Sequence, residues 1–220
     1  DHVMARERPE PLIFMAWLMT LNRALYGGEL GELTDEFIGA RALLVKSILT
    51  QRKVWCDDTR TPDTETCADI LTRSFAAAVD MLAKNYGADA GKWKWGAAHR
   101  ATFRHSLFTH VPVVRYLADL VVETDGGDAT VNRGAMRLAD KSAPFAHVHG
   151  AGYRAIYDLK ELNRSRFIIA TGQSGNPLSL NYRSMLSSWS EGRILRENPP
   201  RRAADKREGF TLVPVPTAKK

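Results

Sequence analysis

What this 220-residue sequence lacks narrows it before any motif is read. Its longest unbroken apolar run, Leu12 to Met19, has eight residues, well short of the roughly 20 that carry a helix across a bilayer. No membrane span is expected. The opening Asp1-His2-Val3-Met4 has no basic stretch leading into an apolar core, so it does not read as a secretory signal. The expectation is a protein that is not exported, or a processed piece of a longer precursor. Cysteine is scarce: Cys56 and Cys67 are the whole complement. Neither belongs to a C-x-x-C pair or has a histidine nearby at ligand spacing, which argues against zinc. No internal repeat, helix-turn-helix spacing, zinc-finger pattern or RNP-like aromatic motif is present, and no nucleic-acid partner is expected.

The net charge of +6 does not reverse that reading, because of where it sits. Arg193 to Lys220 hold eight Lys/Arg against three Asp/Glu, so this segment carries +5 and residues 1–192 only +1. A basic tail of this kind reads as a solvated segment or an interaction arm. With 44% apolar residues at this length, the chain can bury a sizeable core, as one large domain or two small ones.

Glu10 to Leu25 reads as a helix, opened by Pro9 and Pro11 and stopped by Gly27-Gly28. Its apolar residues cover nearly the whole circumference, the pattern of a helix buried between layers. A shorter helical pattern follows around Asp35 to Gln51. The next helix is signalled by Thr61 as N-cap, Pro62 at the first position and Asp63 and Glu65 in the first turn. It runs to Tyr86, and Gly87 ends it. Cys67 would lie in its second turn. Cys56 and Cys67 are separated by ten residues, many of them charged or turn-forming. This favours a disulfide closing a small loop, with two separate buried thiols as the alternative. Such a bridge would contribute roughly 3 kcal/mol by the chain-entropy argument and implies an oxidising compartment.

After Lys92 the texture changes. Val111 to Val122 reads as a short helix or turn. Asp125-Gly126-Gly127-Asp128 reads as a turn, and Thr130-Val131-Asn132 as the start of a strand. Tyr153–Leu159 and Arg166–Thr171 read as two strands joined by a polar turn. "SLNYRSMLSSWSEG" reads as a helix capped by Ser179 and closed by Gly192, and Phe210–Val215 as a last short strand. Helices first and strands later predict an α+β fold with an antiparallel or mixed sheet.

The chemistry is sparse. "TGQSGNPLS" suggests a hydrolase elbow, but Gly172-Gln173-Ser174-Gly175 misses G-x-S-x-G by one residue. Ser174 therefore reads as a turn residue. His99, His105 and His110 match no H-E-x-x-H site. His147 and His149 would share one face of a strand, yet two ligands do not close a zinc site. The Trp-rich "KWKWGAAHRATFRHSLF" reads as core and loop packing. No Ser/His/Asp set assembles from spacing alone, and no metal ligands are assigned.

Taken together, "WCDDTRTPDTETC", "WKWGAAHRATFRH", "GGDATVNRG", "HGAGYRAIYDL" and "GQSGNPLSLNYRSMLSSWSEGRI" occur in this order and resemble the C-terminal part of the penicillin acylase family of N-terminal-nucleophile hydrolases. The resemblance runs from about Pro9 to Leu195. It implies part of an αββα sandwich, with helices flanking strands at Ala129–Met136, Tyr153–Leu159, Arg166–Thr171 and Phe210–Val215. It also fits a Cys56–Cys67 disulfide. Residues 1–128 would form a mainly helical β-chain segment, and residues 129–220 the strands and last helix, with a basic linker at 193–209. The resemblance implies an exported precursor cut into α and β chains, and hence a periplasmic or secreted location.

The nucleophile would be the N-terminal serine of the β chain, with its own α-amine as base. Asp1 is not that serine, so the reacting group is expected outside this chain. The implied partners are the α-chain and the N-terminal β-chain portions of the same enzyme, and the substrate a small N-acyl compound. No cofactor is implied for this chain; calcium in some relatives is bound through positions upstream. Asn132, His149 and Arg154 are the candidate site-facing residues, with turn and sheet-edge hydrogen bonding as their plainer role. A stand-alone, non-catalytic binding domain with the same elements is the alternative.

Overall fold

The computed structural model describes residues 3–39 and 42–196. The helices are α1 Glu10–Leu30, α2 Thr34–Phe37, α3 Ala42–Thr50, α4 Cys67–Tyr86, α5 Trp95–Ala98, α6 Arg115–Ala118 and α7 Leu186–Ser190. The strands are β1 Arg100–Phe103, β2 Leu120–Glu123, β3 Gly134–Ala135, β4 His149–Gly150, β5 Tyr153–Ile156, β6 Arg166–Ile169 and β7 Leu195–Arg196. They pair antiparallel in three small sheets, β1-β2, β3-β4 and β5-β6-β7. A single parallel bridge joins Ala101 to His147. Helix and strand content is mixed, as an α+β reading requires. No helix among the described residues is long and apolar enough to cross a membrane.

The first half is organised by α1 packed along α4. Leu12, Met15, Ala16, Met19, Asn22 and Tyr26 are buried, a three-and-four spacing that places them on one face. Leu21 and Leu25, off this stripe, are buried against Val45, Ile48, Cys56 and Ile70, and only Glu10, Phe14 and Glu29 of the helix are exposed, so most of its circumference is covered, as expected of a helix between layers. Ala78, Leu82, Trp93, Trp95, Leu138 and Phe145 fill in against this stripe.

Two helix boundaries differ from the sequence reading. Helix α1 does not stop at Gly27-Gly28; it continues to Leu30 and turns at Gly31, whose φ is 50°. The paired glycines are a seat for the next loop. A Cβ on Gly27 would lie 2.6 Å from Arg60 Nη1, and one on Gly28 2.8 Å from Thr59 Oγ1. Helix α4 starts not after Thr61 but after Thr66, so Cys67 is its first residue. The reason lies three positions on. Thr66 and Asp69 cap each other reciprocally: the Asp69 N–H donates to Thr66 Oγ1 (3.3 Å) and the Thr66 N–H to Asp69 Oδ2 (2.9 Å). Thr61 has Thr64 at that offset, and its hydroxyl donates instead to the Glu65 carboxylate at 2.8 Å. Gly87 closes the helix with φ 91°. The helical pattern over Asp35–Gln51 breaks into α2 and α3.

Cys56 and Cys67 form a disulfide with a Cα separation of 4.8 Å. The loop it closes is held by its own carboxylates. Glu65 accepts from the Asp58 N–H (2.9 Å) and from Arg73 Nη1 (2.8 Å), while Asp58 grips the Arg60 guanidinium with both oxygens. These bonds hold the Glu65 and Asp58 carboxyls below their ordinary pKa.

The second half departs further from the sequence reading. Strands β1 and β2 were not foreseen; only α6 matches the helix or turn expected over Val111–Val122. The strand expected from Ala129 shrinks to β3, because the Thr130 hydroxyl bonds within 127–132 and folds that stretch into a turn. The final helix begins at Leu186, and Ser179 instead anchors a turn by accepting from the Asn181 N–H at 3.2 Å. Strands β5 and β6 lie where expected but stop at Ile156 and Ile169. Phe210–Val215 and most of the basic segment lie outside the described residues. One face of β1-β2 packs on β6 and α7 through Ala101, Val122, Ile168 and Trp189.

Candidate functional site

Five side chains from four elements stack into a ladder where the two halves meet. Trp95 and His99 come from α5 and its end, His147 from the segment before β4, Trp189 from α7 and Arg154 from β5. Trp95 and His99 stack at 4.4 Å between centroids and 12° between planes. His99 and His147 follow at 5.1 Å and 11°, then His147 and Trp189 at 5.9 Å and 29°. The Arg154 guanidinium lies 4.6 Å over the Trp189 ring, within cation–π range, and its Nη1 donates to the Trp189 carbonyl at 2.8 Å.

The hydrogen bonds fix the tautomers. His99 Nδ1 lies 2.8 Å from the Phe145 carbonyl, an acceptor only, so Nδ1 carries the proton. The Thr124 hydroxyl gives its single proton to the His99 carbonyl at 3.0 Å, so His147 Nδ1, 2.9 Å away, donates to Thr124. The indole N–H groups of Trp95 and Trp189 donate to the carbonyls of Gly126 and Ala151 at 2.8 and 2.9 Å. Burial pushes the His99 imidazolium down to about 4 and also lowers His147. Both rings are therefore neutral at pH 7. Burial lowers Arg154 as well.

Glycine walls the rings in. A Cβ on Gly134 would collide with His99 Nε2, and one on Gly150 with His147 Nε2. His99 Nε2 is buried with no hydrogen-bond partner. The Thr124 proton is committed to a backbone carbonyl, so Thr124 and the imidazoles do not make a nucleophile–base pair. The ladder orders the crossing of three sheets; it is not arranged to move a substrate proton. A cleft of roughly 220 Å³, lined by Phe103, His147, His149, Gly150 and Trp189 among others, opens beside it.

The three candidates from sequence land in different places. Arg154 caps the ladder. His149 is exposed on β4 and lines the cleft. Asn132 lies in the 127–132 turn, with Nδ2 3.4 Å from the Asp125 carbonyl and Oδ1 buried without a partner. They do not converge on one point. Ser174 accepts from the Asn176 N–H at 3.1 Å, as a turn residue does. The residues missed were His147, Thr124 and Trp189 as partners of His99; the one available signal was Trp95 four positions before His99, a spacing that brings two rings together on a helical turn. Among the described residues, no group of three His, Cys, Asp or Glu could hold a metal, so no step is assigned to one.

The chain matches the penicillin amidase family over residues 1–204. It is 31% identical over 142 residues to the acyl-homoserine lactone acylase QuiP of Pseudomonas putida, an alignment covering 63% of this chain and 16% of that protein. It is 32% identical over 97 residues to the penicillin acylase 2 proenzyme of Pseudomonas sp. strain SE83, covering 44% of this chain and 12% of that one. A thermostable penicillin G acylase from Alcaligenes faecalis overlaps 95% of this chain and 39% of its own, at 15% identity and a TM-score of 0.46. The chain thus spans about a sixth of the length of the QuiP acylase it matches.

Proposed function

The chain belongs to the penicillin amidase family, and from that premise we propose that it supplies the C-terminal part of an amide hydrolase whose catalytic serine lies in another portion of the enzyme. The observation that carries this reading is the disparity of coverage: the family match runs over residues 1–204, yet the alignment amounts to only 16% of the length of a named acylase. The lack of a nucleophile–base pair in the ladder agrees with it. The complete enzyme hydrolyses the amide of an N-acyl compound, an acylated homoserine lactone or the side chain of a β-lactam. An N-terminal serine attacks the amide carbonyl while its own α-amine takes the hydroxyl proton and hands it to the departing amine as the C–N bond breaks; water then cleaves the acyl-serine ester, releasing the acid and restoring the serine. The αββα sandwich closes when the strands of this chain meet those of the remaining portions. The Cys56–Cys67 bridge supports an oxidising, periplasmic or secreted setting.

The test is to isolate the protein from its natural source through a tag on this chain, then measure the intact mass of every species that comes with it. A companion beginning with serine, together with hydrolysis of a chromogenic acyl-anilide or an N-acyl-homoserine lactone, is the expected result. Blocking that terminal amine should abolish turnover. A lone 24.5 kDa species that unfolds cooperatively and hydrolyses neither compound would instead leave a stand-alone binding domain.

A further inference from the structure

The connector between β1 and β2, residues 104–119, holds apolar side chains in water on a backbone that is firmly organised. Leu107 is 64% exposed, Val113 72%, Tyr116 74% and Leu117 75%, and Val111 is also exposed. Five large apolar groups within eleven residues exceed the scattered exposure normal for a protein surface. The segment is not loose. The Asp119 carboxylate accepts from the His105 N–H and the Thr109 hydroxyl, both at 2.8 Å. His105 Nδ1 accepts from the N–H groups of Leu107 and Phe108 at 3.1 Å, and its Nε2 donates to the Gly175 carbonyl at 3.1 Å. The Tyr182 hydroxyl donates to the Ala118 carbonyl. Val113 is held at φ 72°, a left-handed conformation that is strained for a β-branched residue and persists only where surrounding structure imposes it.

A cleft of roughly 660 Å³, lined by Arg104, Arg115, Tyr116 and Asp119 among others, opens on the Tyr116 side of the connector. Asp119 is already engaged within the connector and Arg115 Nη2 donates to the Tyr116 hydroxyl at 2.9 Å, so the cleft offers Arg104 and the remaining Arg115 donors against one committed carboxylate. We propose that this connector is the docking surface for a segment of the remaining polypeptide of the same enzyme, an apolar stretch with an acidic flank. The proposal rests on the reading that the chain works as part of a larger hydrolase, and the length of the relatives supplies the missing occupant: the aligned part is only 16% of the QuiP acylase. The apolar side chains would sink into the companion, with Tyr116 and Leu117 as central anchors, while Arg104 and Arg115 meet its acidic groups.

The experiment uses the complete assembly. Hydroxyl-radical labelling of the Tyr116 and Leu117 side chains, which stand in water in this chain, is expected to be suppressed at least tenfold in the assembly relative to the same residues in the denatured assembly. Leu117→Glu should weaken retention of the companion at least tenfold on dilution, whereas Thr72→Glu, on the exposed side of α4, should leave it unchanged. Labelling of Tyr116 and Leu117 in an intact assembly at the rate of the denatured chain would overturn the proposal, even if Leu117→Glu fails to fold. So would Leu117→Glu dispersing a dimer of assemblies while each keeps its companion, since the surface would then meet a second copy. Absence of any serine-terminated companion in the wild type would instead overturn the functional reading itself.

Discussion

The α1–α4 half and the β1–β7 half solve the same problem, burying a face, by different means. In the helical half the buried face is apolar and periodic, the helix start is capped, and the loop before it is sealed by a disulfide. In the strand half the centre is a column of rings in which Trp95, His99 and Trp189 each donate a ring N–H to a specific backbone carbonyl. Burying polar groups is costly unless they are bonded. The strand half is therefore exacting: it tolerates error in geometry poorly, while the helical half rests on many interchangeable contacts. It also leaves more apolar surface in water.

The largest expected effect sharpens this contrast. Trp189→Ala should destabilise the assembled protein by about 3–5 kcal/mol, since it empties a buried position and removes the base on which Arg154 rests. Denaturant melts should then show near-UV signals lost before helical signals. If both halves melt together with only a small shift, the ladder is not a distinct exacting centre.

Acid should act on the strand half next. Folded His99 stays neutral down to about 4, whereas an unfolded imidazole takes its proton near 6.5. Between pH 6.5 and 4 the unfolded chain binds the proton that folded His99 refuses, so the His99 contribution to stability falls as pH is lowered, by roughly 3 kcal/mol, and is flat above that window. Urea midpoints across the range check the slope, and a His99 ring resonance titrating near 6.5 would contradict it. In the helical half, replacing Cys56 and Cys67 together with serine should cost about 2–3 kcal/mol, read as a lower Tm with the α1–α4 contacts retained. The smallest effect is Thr66→Ala, about 1 kcal/mol from the lost cap. Thr61→Ala should not open the helix start, and amide protection of residues 67–70 distinguishes the two threonines.

The same contrast explains what could be read from the sequence. Helices α1 and α4 were legible because apolar spacing and Gly87 carry local information. The Cys56–Cys67 loop was legible because its ends are close in the chain. Thr61 displaced Thr66 because Thr-Pro with acidic followers looks like a start, while the deciding partner, Asp69, acts on the later threonine. Strands β1 and β2 escaped notice because they are four residues each and pair across a sixteen-residue connector. The ladder escaped for a stronger reason: its members are scattered from Trp95 to Trp189, and nothing in local spacing says that distant rings will stack. Arg154 was picked out as a candidate, but its partner was not.

The two glycines inside α1 carry a consequence for anyone recombining members of this family. Each forgoes roughly 1 kcal/mol of helix propensity relative to alanine, and in return the helix has a groove shaped to Arg60 and Thr59. Helix and loop in this chain are thus a lock and its matched key. A chimera whose first helix comes from a parent with a side chain at either glycine position would put carbons where the Arg60 guanidinium sits, so the crossover point belongs before Glu10 or after Cys67.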